Sequence, residues 1–345
     1  MRLHKLFAVI TAICCFVGVL SVPLSAEAFI YNRAWERSVK QEVLQESIKR
    51  DGLSKDETAN AMLNRITGRL LPTVKSKETI DVEYTFFVNQ KKTVNAYSAV
   101  GGNISVNQGL FDAVGYNEDE VAFIVAHEMG HTQGQHMIKT LNGAIGFGLL
   151  AYLYLERNQN TASQLLTAVV YNNIIKKGYG LAHEWDADSR GFHYSAAAGY
   201  NPAAGAAAFQ RLTEKYGDKN YNLLGDVLLP EEHPSNKQRI AKFMEQTTAY
   251  SGNRVSSNGS AVFIMNKPAI KPAKLPTMSS VERSYLITGN LARALHNLKN
   301  PVPITVSEGG ELFMDKYLIM TVQEGDGDAD TLAQSINEAF GVSTI

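Results

Sequence analysis

Residues 127–131 read His127-Glu128-Met129-Gly130-His131. They lie in a stretch from Asn117 to Gln135 that reads as a helix. Asn117 can cap it, and Glu118-Asp119-Glu120 suits the positive end of its dipole. On a helix, His127 and His131 are one turn apart and point the same way. Two imidazoles so placed can share one zinc ion. Glu128 projects to the neighbouring side, where a carboxylate can hold an attacking water. The pattern specifies only three positions, so it gains meaning from a third ligand.

Two extensions supply a candidate. In H-E-x-x-H-x-x-G-x-x-H the third histidine would fall at 137. Gly134 fits, but position 137 is Met137 and His136 comes one residue early. A one-residue slip is about 100° of helix rotation. That class is excluded, and His136 is expected on the helix surface or behind a ligand. The other extension is a distant helix bearing Glu-x-x-x-Asp. Residues 183–191 read His-Glu-Trp-Asp-Ala-Asp-Ser-Arg-Gly. Glu184 and Asp188 share a helix face. Glu184 can bind the metal, and Asp188 can accept a hydrogen bond from a ligand histidine and fix its tautomer. Alone, this segment also reads as a solvated acidic helix start. Paired with the histidine motif, the metal reading is preferred.

Together, HEMGH, EWDADSRGF and the following AGYNP resemble the gluzincin metallopeptidases of the HtpX, BepA and CAAX-prenyl-protease type. VNAYSAVGGNISVNQGLFDAV (94–114) is similar to that family's strand segment before the catalytic helix. EEHPSNKQRI (231–240) is similar to its His-Pro segment. The likeness covers about residues 35–247 and is nearest in layout to the soluble, exported BepA-like branch. It implies one zinc per chain held by His127, His131 and Glu184, with Glu128 as general base and Asp188 as the supporting acid. His233 matches a histidine that can reach the zinc and block it, and reads equally as a loop residue beside Pro234. Arg239 is expected either at the metal site or paired with an acid, and His183 and His193 are expected to be structural.

The strand around Tyr97–Val106 can pair with an extended substrate backbone. Tyr97, Ser98, Gly101, Gly102 and Asn103 are the candidate substrate-binding residues. The implied fold is α+β: a mainly helical zincin-type protease domain with a small β-sheet whose edge strand lies by the active site, plus a small C-terminal α/β domain.

The whole chain agrees with this. It has 345 residues, 45% apolar and 19% charged, with 33 Lys+Arg against 34 Asp+Glu. That is too apolar for a disordered chain and lacks the basic excess of a nucleic-acid binder. A basic start, an apolar run from Leu6 to Leu20 and Ala26-Glu27-Ala28 read as a signal peptide cut after Ala28. Cys14 and Cys15 leave with it, so no disulfide or cysteine ligand is expected in the mature chain. The expected organisation is 1–28 signal peptide, 29–250 metallopeptidase, 251–260 (SGNRVSSNGS) linker and 261–345 accessory domain, with no internal repeat. Within the peptidase, a helix from Ser54 is expected to end at Leu71, before Pro72. The uncharged run Gly143–Leu155 is shorter than the roughly 20 residues of a membrane span. Burial in a hairpin with residues 164–175 between the two metal helices is preferred there, with a membrane-touching or substrate-gating flap as the sharper reading; peripheral contact with a membrane or envelope complex is the partner expected besides substrate.

The expected function is an exported endopeptidase, periplasmic or extracellular, hydrolysing peptide bonds in unfolded or misassembled envelope proteins with zinc-activated water. The alternative is a latent protease-like chaperone or binding module with His233 on the zinc.

Overall fold

A computed structural model describes residues 32–144, 180–217 and 234–343. The expected signal peptide, most of Gly143–Leu155, the segment 164–175 and His233 lie outside the described residues. Among those residues, no helix is long and apolar enough to cross a membrane.

The architecture is α+β, mostly helical with small sheets. The first part runs α1 (Arg33–Asp51), α2 (Glu57–Lys77), β1 (Thr85–Asn89), β2 (Ala96–Ala99), β3 (Asn103–Asn107), α3 (Gln108–Ala113), α4 (Glu118–Gln133), α5 (His136–Ala144), α6 (Leu181–Ala197), α7 (Ala204–Tyr216) and α8 (Asn236–Tyr250). Helix α4 is the axle. Its run EVAFIVAHEMGHTQ carries apolar residues on every face, and each residue from Glu120 to Gln133 is buried. Such a helix is stable only when wrapped on all sides. Helices α2, α6 and α7 and strands β2 and β3 do the wrapping. The Asn117 side chain accepts the Glu120 N–H and caps it. Phe123 meets Phe243 of α8 edge-on at 4.8 Å between ring centres. Helices α4 and α6 approach closely because each puts a glycine at the contact. A Cβ on Gly130 would sit 3.0 Å from the Ala187 carbonyl, and one on Gly191 would sit 3.0 Å from the His127 backbone. That approach brings Glu184 to the two histidines.

Helix α2 runs on to Lys77 through Pro72, past its expected end at Leu71. The proline costs one hydrogen bond, but Pro72 is exposed. Leu70 and Val74 are buried on the opposite face and carry the helix onward.

In the three-stranded sheet, β3 is central, parallel to β1 and antiparallel to β2. Asn107 donates to the Asn95 carbonyl, which fixes the alternation along β2. The backbone groups of Tyr97 and Ala99 face β3, and those of Ala96 and Ser98 face outward.

The C-terminal part departs from the expectation in three ways. The stretch read as a linker carries a strand, β4 (Val255–Ser257), paired with β5 (Val262–Ile264). Val255 is its one large apolar residue and is buried. Secondly, the topology repeats. β4, β5, β6 (Lys267–Ile270) and α9 (Ser280–Leu298) are followed by β7 (Ile304–Val306), β8 (Glu311–Met314), β9 (Tyr317–Thr321) and α10 (Ala329–Phe340). Each half is an antiparallel triplet with an irregularity at the same place, Val262/Phe263 and Leu312/Phe313. Thirdly, no strand here pairs in parallel, so the part is not an α/β unit. Two-residue turns join β5 to β6 and β8 to β9. Such turns permit only antiparallel pairing. Met265 and Asn266 take φ of 49° and 64° in the first of them.

This part is joined to the first through buried polar contacts. Asn201 donates to the Leu286 carbonyl and to Asn290. Arg211 of α7 lies 3.4 Å from Glu120 of α4 and also pairs with Glu282 of α9. Both carboxylates are almost wholly buried. Burial first, and then the charge of Glu282, push Glu120 well above the usual carboxylate range. Burial also raises Glu282, with Arg211 opposing. The folded protein therefore holds a proton here that the unfolded chain releases above about pH 4.5. The stability from this pair is full below that pH and is lost as pH rises through the raised value. Glu120→Gln should remove that fall. In zinc-free protein at pH 8 it should gain about 1–3 kcal/mol over wild type, with a smaller gain at pH 5. Urea unfolding at the two pH values measures both. An equal effect at both would mean that the pair does not share a proton.

Candidate metal centre

Three donors converge between α4 and α6. His127 Nε2 lies 3.0 Å from His131 Nε2. Glu184 places its oxygens 3.5 Å from His131 Nε2 and 3.8 Å from His127 Nε2. All three side chains are buried. A tetrahedral zinc with 2.0–2.1 Å bonds has ligand–ligand edges of about 3.3 Å. The donor chemistry and spacing thus fit a zinc ion, and among the described residues they supply three of its four positions.

The far side of His127 is fixed. Its Nδ1 lies 2.9 Å from Asp188 Oδ1. Arg239 of α8 grips both oxygens of Asp188, one of them at 2.8 Å. Its other terminal nitrogen is 3.8 Å from Glu184, and its guanidinium lies 4.0 Å over the Phe209 ring. Burial works to raise the Asp188 carboxyl, but Arg239 and His127 together outweigh it and hold it below its ordinary value. Burial pushes Glu184 up to about 8, with Arg239 opposing and Asp188 adding to the rise. Burial also pulls His127 down and His131 far down. Both histidines are therefore neutral, the form that binds a metal. A bound cation would provide the counter-charge that keeps Glu184 ionised despite its burial.

Glu128 is fully buried. Burial and the neighbouring charge of Glu184 raise it well above its ordinary value, and the nearby polar groups of Ser98 oppose that rise. Ser98 lies on the outward edge of β2 derived above.

Of the five candidate substrate residues, Ser98 is the one brought to Glu128. Tyr97, Gly101 and Asn103 are buried against α1, and Gly102 against the segment before β1. Tyr97 donates its hydroxyl to Asp51 and accepts from Arg50. Asn103 donates to the Lys40 and Val100 carbonyls. A Cβ on Gly101 would meet Lys40, and one on Gly102 would meet Val82.

Arg239 does both things expected of it as alternatives. Missed altogether was the network behind α6. There Arg190 donates to Asp186 and Glu78, and Tyr194 donates to Glu78. Its only sequence signal is the helical spacing of Asp186, Arg190 and Tyr194. Met137 is buried core, in keeping with exclusion of the third-histidine pattern.

Residues 57–247 match the model of peptidase family M48. Over 205 residues the chain is 23% identical to the beta-barrel assembly-enhancing protease of Escherichia coli K12, covering 56% of this chain and 41% of that protein. It is 23% identical over 223 residues to the mitochondrial metalloendopeptidase OMA1 of Arabidopsis thaliana, covering 65% and 41%. It is also 23% identical over 193 residues to the metalloprotease LoiP of Escherichia coli K12, covering 55% and 68%. The chain thus spans about two fifths of the length of the first two relatives. The family match covers more than half of the chain and contains all three metal donors, so this protein belongs to peptidase family M48, the zinc-dependent metallopeptidases of gluzincin type.

Proposed function

We propose that this chain is an exported zinc endopeptidase, released after Ala28, that cuts unfolded or misassembled envelope proteins. The observation that carries the reading is the convergence of His127, His131 and Glu184 beside a buried Glu128 that adjoins an outward-facing strand edge. The leader-like N-terminus and the likeness to a beta-barrel assembly-enhancing protease support the envelope as its place of work.

A zinc ion held by the three donors supplies Lewis acidity, acidifying water and polarising a carbonyl. Glu128 takes the proton of the attacking water and returns it to the leaving amine. Asp188 keeps His127 in the tautomer that presents Nε2, and Arg239 keeps Asp188 charged. The outward edge of β2 at Ala96 pairs with an extended substrate. Such pairing reads backbone before side chains and favours unfolded chains.

The test uses residues 29–345 loaded with zinc. Casein should be cut and a compactly folded protein spared. Chelation should stop the cutting and zinc should restore it. Bound zinc without cleavage of casein, in wild type and in His233→Ala alike, would overturn the reading.

A further inference from the structure

We propose that His136 is a positioning residue for the metal ligand His131, linking it to the Asp186–Arg190 ion pair. This rests on the zinc site described above and extends it to a residue outside the ligand motif.

The two metal histidines are supported differently. His127 has Asp188 at its back. His131 has another histidine, with His131 Nδ1 2.8 Å from His136 Nδ1. His136 Nε2 in turn lies 3.0 Å from Asp186 Oδ2, which also accepts from Arg190 Nε at 2.8 Å. Only one proton arrangement satisfies this chain once His131 binds a metal through Nε2. Its Nδ1 then carries the hydrogen and donates to His136 Nδ1. His136 must carry its own hydrogen on Nε2 and donates it to Asp186. The Asp186 charge is thereby felt at His131 through one intervening ring, just as Asp188 is felt directly at His127.

The backbone is built for this. Helix α4 ends at Gln133, and the chain leaves the helical path at Gly134 and Gln135, the latter at φ 55°. The His136 ring folds back under Gly134, where a Cβ would lie 2.3 Å from it. The ring of His183 stacks on that of His136 at 4.4 Å and 6°. His183 precedes Glu184 on α6, so His136 is wedged between both metal-bearing helices and is itself 1% exposed.

Zinc affinity by chelator competition tests the proposal without using activity. His136→Leu removes the acceptor and should weaken zinc binding about 10–100-fold. His136→Asn places an oxygen near the former Nδ1 and should recover much of that loss. Asp186→Asn sits on a half-exposed side chain, spares the core and should weaken binding less than His136→Leu. It carries the test if the leucine variant does not fold. Wild-type affinity in His136→Leu would overturn the proposal. So would an asparagine variant as poor as the leucine one, because the role would then be packing. With a leucine variant that does not fold, wild-type affinity in Asp186→Asn would do the same. A wild-type chain that binds no zinc would instead refute the metal centre itself.

Discussion

Glu128→Gln should slow peptide-bond hydrolysis by about 10²–10⁴-fold, the range supplied by a positioned general base, and should leave zinc content at one per chain. Glutamine has the shape of glutamate and fills the same buried space beside the β2 edge. What it loses is the ability to take a proton from water. Glu128 is not among the three converging donors, so metal binding should survive. The variant should also be at least as stable as wild type, because a neutral amide replaces a carboxylate whose ionisation burial opposes. Glu184→Ala is the contrast. It removes a donor, so metal and turnover should fall together. Zinc analysis and casein turnover on the same samples separate the two. Retained turnover in Glu128→Gln would remove Glu128 from the chemistry, and lost zinc would make it part of the metal cage.

How far the sequence reached depended on whether a signal was local. The metal helix was legible to within two residues at its C-terminal end because Asn117, the acidic first turn and the histidine spacing all lie on one segment. Helix α6 was legible through its acidic start and Gly199. The continuation through Pro72 was not, since it rests on Leu70 and Val74 finding a core built from other elements. Strand β4 was hidden because Ser, Asn and Gly surround Val255, and only its pairing with β5 makes a strand of them. The repeated β-β-β-α topology was invisible because the two halves share hairpin geometry more than residues. At the site, the three ligands followed from spacing. The His131–His136 contact did not, because it depends on the break at Gly134 and Gln135, which helix periodicity alone would never place there.

Arg239→Met should destabilise the zinc-free protein by about 3–5 kcal/mol at neutral pH, the cost of stripping a buried ion pair of one partner. Arg239 is 4% exposed, spans both oxygens of Asp188 and lies within 3.8 Å of Glu184. Its removal leaves two buried carboxylates facing each other across one turn of α6. Methionine keeps much of the volume against Phe209, so a large loss would report charge more than packing. The double variant Arg239→Met/Asp188→Asn decides between them. With the carboxylate neutralised too, it should recover a substantial part of the loss. Urea unfolding of the four proteins, all without zinc, completes the cycle. If the double variant is as unstable as the two single losses added together, the guanidinium stabilises through its stack on Phe209. Arg239 would then be a core residue of α8 that happens to touch the site. Recovery would instead identify it as the counter-charge that allows acids on α6 to be buried behind a metal centre at all.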